Sequence, residues 1–159
     1  EVKYLYKIKD FEFIDGIFDA CIHFLNLEYK IIIISNQSGI SRRYYSEEDY
    51  HKITNWMLNE FIKNGVQISD TLYCPHTEEF NCNCRKPKPG MLLHSQSIHD
   101  INLNDSWMVG DKESDIIAAK NAGIKNTILL RSGHEIDESG SSAKFILDSI
   151  KDTPRIINV

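Results

Sequence analysis

The sequence has no long apolar run and no excess of positive charge. A membrane-spanning helix needs about 18 or more consecutive apolar residues, and no such run occurs in these 159 residues. The first residues, EVKYLYKIKD, contain neither the apolar core nor the small-residue cleavage site of a signal peptide. The net charge of −5 also lacks the basic excess that favours nucleic acid or anionic membranes. We therefore expect a cytoplasmic protein with neither nucleic acid nor membrane as a partner.

Signs of a multidomain or repetitive chain are missing as well. The sequence contains no internal repeat, no low-complexity stretch, no linker and no heptad pattern. A chain of 159 residues is long enough for one compact domain with a real core, and too short for two ordinary ones. We therefore expect a single domain over residues 1–159, and a monomer.

The pattern that is present alternates between helices and short apolar strands. KIIIISN contains four consecutive isoleucines without polar alternation, which is typical of a strand buried on both faces of a parallel sheet. TLYC, SWMVGD and NTILLR are predicted to be further strands, and helices are predicted after Asp15, from Ser46, from Pro89 and in KESDIIAAKNAG. This order predicts an α/β fold with a doubly wound, mainly parallel sheet and helices on both faces. In such sheets the carboxyl ends of the strands line the ligand crevice.

Three polar clusters follow predicted strands: SNQSG, CRKPKPG and GDKESD. Ser35 and Asn36 offer hydrogen-bond donors to a phosphate, Lys86 offers a compact positive charge, and Asp111 offers a hard oxygen ligand suited to Mg²⁺. Taken singly, each also fits an ordinary turn or a solvated surface. Together at one crevice, donors, a cation and a carboxylate indicate phosphoryl-transfer chemistry.

Three cysteines and a histidine lie within eleven residues, directly before two basic residues. Thiolate and imidazole are ligands that tetrahedral zinc prefers, and four protein ligands leave no position for a reactive water. We therefore predict a structural Zn²⁺ that fixes the backbone leading into Arg85 and Lys86. The alternatives are a disulfide, which is awkward for two cysteines separated by one residue, and free buried thiols, which leave the histidine unexplained. The predicted ligands are Cys74, His76, Cys82 and Cys84.

Several segments together resemble a known family. FEFIDGIFDAC, SNQSGI, YCPH, CNCRKPKPGML and MVGDKESDIIAAKNAGI resemble the haloacid-dehalogenase-like phosphatases, and among them the D-glycero-D-manno-heptose 1,7-bisphosphate 7-phosphatases. The resemblance covers nearly the whole chain with little insertion, which implies a zinc-binding loop and no large cap domain. The related histidinol-phosphate phosphatases share the zinc loop but usually carry Asp where this chain has Ser38. They are the alternative enzyme assignment.

The resemblance implies a Mg²⁺-dependent phosphatase that acts on a sugar bisphosphate through an aspartyl-phosphate. In that assignment Ser35, where the family usually has threonine, stabilises the transferring phosphoryl group together with Lys86. Asp111 binds Mg²⁺, and Arg85 recognises the sugar or its second phosphate. The other positions that would border the substrate are Glu1, Val2, Lys3, Tyr4, Asn36, Gln37, Ser38 and Lys112.

One signature of the family is missing from this sequence. The family's DxDG motif carries the nucleophilic aspartate and the aspartate that acts as general acid and base, and nothing in the first ten residues matches it. We expect this strand and loop to lie upstream of Glu1. If the motif is absent from the protein altogether, the chain is instead a zinc-stabilised module that binds phosphosugars or a protein partner without catalysis.

Overall fold

The computed structural model describes residues 4–132 and 135–159. The predicted helices and strands are all confirmed, and one strand of three residues near the carboxyl end was not predicted. No helix within these two ranges is both long and apolar enough to span a membrane. In chain order the elements are α1 (Ile17–Asn26), β1 (Ile32–Asn36), α2 (Glu47–Lys63), β2 (Asp70–Cys74), α3 (Gly90–His99), β3 (Trp107–Gly110), α4 (Glu113–Ala122), β4 (Asn126–Leu130) and β5 (Phe145–Leu147).

The strands form two parallel sheets in the described part of the chain, where the sequence predicted one. β1 pairs with β2, and the second sheet has the order β3-β4-β5. β1 and β3 are not hydrogen-bonded to each other. The prediction that β1 is buried on both faces is only partly correct, because side chains cover both faces but all five residues of β1 are only partly buried. An edge without a neighbouring strand leaves those side chains accessible.

Helices cover both faces of the sheets, as predicted. Cys21 of α1, which is 4% exposed, packs with Phe61 of α2 and Ile33 of β1. The next residue of the strand, Ile34, instead packs in a cluster with Met108 of β3. Neighbouring residues of a strand point to opposite faces, so β1 contributes to two separate apolar layers. α1 also packs against β4 and β5, and the two sheets therefore share their covering layers.

The ends of α2 follow from local sequence. The Ser46 hydroxyl accepts a hydrogen bond from the Asp49 backbone N–H at 3.0 Å, and the Asp49 carboxylate accepts one from the Ser46 N–H at 2.9 Å. This reciprocal cap satisfies two N–H groups that a helix start otherwise leaves unpaired. At the other end, Gly65 adopts a φ of 80°, which ends the helix where the sequence predicted.

Candidate functional site

The four predicted zinc ligands come together in the structure. Their ligand atoms all lie within 4.8 Å of one another. The His76 Nδ1 lies 3.5 Å from Cys74 Sγ and 3.4 Å from Cys84 Sγ, and the Cys74 and Cys82 sulfurs are 3.6 Å apart. Tetrahedral zinc, with bonds of about 2.3 Å to sulfur and about 2.0 Å to nitrogen, places ligand atoms about 3.5–3.8 Å apart. The Cys84 and Cys74 sulfurs, at 2.9 Å, are clearly closer than this. We call residues 74–84 the metal loop.

The thiols of the metal loop differ in how readily they ionise. Burial raises the pKa of Cys74 to about 12, and it also raises the pKa of Cys84. Burial opposes ionisation of Cys82 too, but hydrogen bonds from the backbone N–H groups of Arg85 and Cys84 lower its pKa to about 6. Hydrogen bonds of this kind support the thiolate form, which is the form that binds a metal.

The metal loop is tied to its surroundings on the side of α3. The Lys88 ammonium donates to the Cys82 carbonyl at 2.6 Å and to the Asn81 side-chain oxygen at 3.0 Å. The Gly90 N–H donates to the Asn83 carbonyl at 2.9 Å. A Cβ atom at residue 90 would lie 2.2 Å from that same carbonyl oxygen, so only glycine fits. Helix α3 therefore begins in direct contact with the metal loop.

Lys86 is held in place by Asn36 at the end of β1. The Asn36 side-chain oxygen accepts from the Lys86 N–H at 3.0 Å, and the Asn36 amide donates to the Lys86 carbonyl at 3.2 Å. Both ends of the Asn36 amide are thus bonded to the backbone that follows the metal loop. Asn36 positions Lys86, a role that the sequence analysis did not predict.

The Lys86 ammonium forms an ion pair with Asp115, a residue that the sequence analysis missed. Their side chains are only 13% and 6% exposed. The Asp115 carboxylate also accepts from the Lys112 N–H at 3.2 Å. A Cβ atom at Gly110, the last residue of β3, would lie 2.3 Å from the Asp115 carboxylate, so the glycine makes this approach possible. The D-x3-D spacing from Asp111 was the available signal in the sequence.

These contacts bring the three polar clusters together, as the sequence predicted. Asn36 comes from the first cluster, Lys86 from the second and Asp115 from the third, and they are joined in that order. Asp111 directly follows β3, four residues before Asp115, and its side chain is partly buried. We call the region at the carboxyl ends of β1 and β3 the crevice. It combines a cation, carboxylates and hydroxyl donors.

Ser35 and Gln37 are linked in the turn that follows β1. The Gln37 side-chain amide donates to the Ser35 hydroxyl oxygen at 3.1 Å, and its carbonyl accepts a hydrogen bond from the Tyr45 hydroxyl. The Gln37 backbone N–H donates to the Cys74 carbonyl at 2.7 Å, where the metal loop begins. Ser38 is partly buried in the same turn.

The other predicted substrate residues lie around these two regions. Arg85 is partly buried and donates to the His76 carbonyl at 3.3 Å, whereas Lys112 is exposed. The ring of Tyr4 packs on that of Tyr44 with the centroids 4.9 Å apart. Three predicted positions lie outside the described residues: Glu1, Val2 and Lys3.

Comparisons with known proteins agree on one family. A family model described as "HAD-hyrolase-like" matches residues 83–153. The chain is 42% identical to the D-glycero-beta-D-manno-heptose-1,7-bisphosphate 7-phosphatase of Pasteurella multocida, over 97% of this chain and 88% of that protein. It is 48% identical to the D-glycero-alpha-D-manno-heptose-1,7-bisphosphate 7-phosphatase of Campylobacter jejuni, over 80% of this chain and 73% of that protein.

A solved structure shows the same fold. The D,D-heptose 1,7-bisphosphate phosphatase of B. bronchiseptica, crystallised with magnesium and phosphate, superposes with a TM-score of 0.83 at 22% identity. The match covers 96% of this chain and 87% of that one.

Proposed function

Because this chain belongs to the haloacid-dehalogenase-like phosphatases, among the heptose 1,7-bisphosphate 7-phosphatases, we propose that it removes the 7-phosphate of a D-glycero-D-manno-heptose 1,7-bisphosphate. The observation that carries the proposal is the buried contact between Lys86 and Asp115 in the crevice, with Asp115 four residues after Asp111. An ammonium held by a carboxylate beside a potential Mg²⁺ ligand is the arrangement that phosphoryl transfer uses to stabilise negative charge.

Each crevice residue has a part in the proposed reaction. Lys86, kept in place by Asn36 and Asp115, donates to an oxygen of the transferring phosphoryl group. The Ser35 hydroxyl donates to another of these oxygens. The Asp111 carboxylate is a hard oxygen donor suited to Mg²⁺, which when bound neutralises charge on the phosphate. Lys86 and Ser35 are held by hydrogen bonds before the substrate arrives, so they need little reorganisation during the reaction.

We propose that the nucleophilic aspartate lies on a strand upstream of Glu1. The 159 residues contain no D-x-D sequence. β1 and β3 form no hydrogen bonds with each other, yet Ile34 of β1 and Met108 of β3 pack in one apolar cluster. The two strands therefore lie close together. A strand between them would complete a single sheet and would end in the crevice. The nucleophile would form the aspartyl-phosphate there, and the second aspartate of the motif would act as general acid and base.

We further propose that the metal loop binds a structural Zn²⁺. The spacing of its ligand atoms and the N–H groups that support the Cys82 thiolate both suit zinc. Four protein ligands leave no open position, so the loop shapes the backbone before Arg85 and Lys86 and takes no part in the chemistry. Thiolate ligands persist in a reducing compartment, which supports a cytoplasmic location. The monomeric state stays a prediction.

We assign Arg85 to recognition of the substrate's second phosphate. The guanidinium is anchored to the metal loop through the His76 carbonyl, and it is partly buried next to Lys86 in sequence. A guanidinium holds a phosphate through two parallel hydrogen bonds, which suits recognition better than a mobile ammonium does.

Phosphate release by the full-length protein in the presence of Mg²⁺ tests the proposal. The substrates are the α and β anomers of the heptose bisphosphate, histidinol phosphate and p-nitrophenyl phosphate. We expect kcat/KM for one heptose anomer to exceed that for the two monophosphates by about 10²-fold, since the monophosphates lack a second phosphate for Arg85. Preferred hydrolysis of histidinol phosphate would replace the proposed substrate. No hydrolysis of any ester would leave a non-catalytic binding module.

A further inference from the structure

A buried tyrosine is connected to the crevice through one glutamine. Tyr45 is 6% exposed, and its hydroxyl donates to the Gln37 carbonyl. Gln37 is thus the acceptor that holds the Tyr45 hydroxyl proton. Burial raises the pKa of Tyr45 to about 12, with smaller contributions from Tyr4 and Tyr50, so the hydroxyl keeps its proton at neutral pH. Tyr45 is therefore a permanent donor.

The direction of this bond decides the direction of the next one. A glutamine amide has one end that accepts and one that donates. With its oxygen facing Tyr45, Gln37 presents its N–H to Ser35 and donates to the hydroxyl oxygen at 3.1 Å. A serine that accepts this bond keeps its own O–H for a different acceptor. If the amide were reversed, Ser35 would donate to Gln37 instead, and the Tyr45 proton would lose its acceptor.

The turn around these residues is closely packed. A Cβ atom at Gly39 would lie 2.2 Å from the Tyr45 ring and 2.9 Å from the Tyr4 ring. The Gln37 backbone is fixed separately by its hydrogen bond to the Cys74 carbonyl. Both partners of the Tyr45–Gln37 bond are thus held in place, and the bond itself keeps the amide oxygen toward Tyr45.

We propose that Tyr45 and Gln37 are positioning residues that orient the Ser35 hydroxyl to donate its proton to the transferring phosphoryl group. This inference rests on the proposed function, and it changes the role of Gln37. The glutamine acts through Ser35, whereas the sequence analysis placed it at the substrate. No bond is made or broken in this role, because only the direction of hydrogen bonds is set.

Tyr45→Phe tests the inference in the full-length protein, with heptose bisphosphate as substrate. The change keeps the ring and removes the donor, so the Gln37 amide is free to reverse. We expect kcat to fall about 5- to 20-fold, on the scale of one hydrogen bond, while KM changes less than about 2-fold. Tyr44→Phe is the matched control, because Tyr44 is the neighbouring residue and is 59% exposed. It should keep kcat within about 2-fold of the wild type.

Gln37→Glu is the second variant, and it tests the same hydrogen bonds in case Tyr45→Phe lowers kcat only by disturbing the fold. A carboxylate accepts from both neighbours and takes the Ser35 proton away from the phosphate, so we expect kcat to fall about 10²-fold. The melting temperatures of both variants are measured beside the wild type, so that lost orientation is separated from lost structure.

A double-mutant cycle with Ser35→Ala decides between positioning and a general structural effect. Once the hydroxyl is gone, Tyr45→Phe should lower kcat by less than about 2-fold further, and Ser35→Thr should retain the wild-type response to Tyr45→Phe. An undiminished effect in the Ser35→Ala background, or a normal kcat for Tyr45→Phe, would overturn the inference. A wild type that hydrolyses no phosphate ester would overturn the proposed function, and the inference with it.

Discussion

The metal loop and the crevice both gather polar side chains, but they do so over very different distances in sequence. The metal loop takes all four of its proposed ligands from eleven consecutive residues. In the crevice, Asn36 and Lys86 are 50 residues apart, and Lys86 and Asp115 are 29 apart. The metal loop is therefore set by local sequence, whereas the crevice exists only when the whole fold has formed. Disturbing each region should consequently have a different signature.

The metal loop and the crevice should differ most in their response to removal of their proposed metals, one at a time. Structural zinc in small sites contributes about 10–16 kcal/mol of apparent binding free energy, which is comparable to the stability of a whole domain. A zinc-selective chelator should therefore lower the melting temperature by about 10 °C or more, whereas omitting Mg²⁺ should abolish turnover and shift the melting temperature by less than about 3 °C. Elemental analysis should find about one zinc per chain. Protein purified without chelator that contained no zinc would rule out the assignment.

Asp111→Asn should affect the crevice without affecting the fold. The change keeps the shape of the side chain and deletes the charge that suits Mg²⁺, so we expect turnover to fall about 10³-fold or more with little change in melting temperature. Asp100→Asn is a suitable control, since Asp100 is exposed and has a φ of 52°, which asparagine adopts equally well. A near-normal kcat at saturating Mg²⁺ would show that Asp111 is not a ligand.

Lys86→Ala should lower both activity and stability. Loss of one preorganised donor lowers kcat by about 10²–10³-fold, and the buried Asp115 left without its partner costs about 3 kcal/mol of the free energy of unfolding. Lys63→Ala is the contrasting variant, because Lys63 is 70% exposed in its 3.0 Å pair with Glu60. It should change the unfolding free energy by less than about 1 kcal/mol. Similar losses in the two variants, measured by urea denaturation, would contradict the buried pairing.

Arg85→Lys should give the smallest and most selective effect. Lysine retains the charge but cannot form two parallel hydrogen bonds, so kcat/KM for the heptose bisphosphate should fall about 10-fold. For p-nitrophenyl phosphate, which has no second phosphate, it should stay within about 3-fold. The zinc content is measured in parallel, so that damage to the metal loop is not mistaken for lost recognition. Equal losses for both substrates with zinc retained would place Arg85 in the chemistry.

The elements of the fold were predictable because their signals are local. The capped start of α2 at Ser46 and its end near Gly65 needed only neighbouring residues, and both are confirmed. β5 was missed because its three residues carry too short an apolar pattern to stand out. The partial burial of β1 was missed for another reason: burial depends on which strands lie beside it, and the strand's own sequence does not specify them.

The candidate site likewise has features that local sequence predicts and features that depend on distant residues. The four side chains of the metal loop were identified in full from their spacing, and the structure brings them together; that they bind zinc stays a prediction. The convergence of the three polar clusters followed from parallel strands that end at one edge. The hold of Asn36 on Lys86 and the pairing of Lys86 with Asp115 could not be predicted, because each depends on where distant residues lie after folding. Distance in sequence thus limited the prediction more than chemistry did.

The tight contact at Gly90 has a consequence for genetics. A methyl group there would push against the Asn83 carbonyl in the metal loop, although residue 90 contributes no ligand atom. With zinc bound as proposed, a substitution at Gly90 would give the same phenotype as substitutions of the cysteines. The variant would lose its metal, be less abundant in the cell and be rescued by growth in excess zinc. A genetic screen would therefore map a larger metal site than the coordinating atoms define.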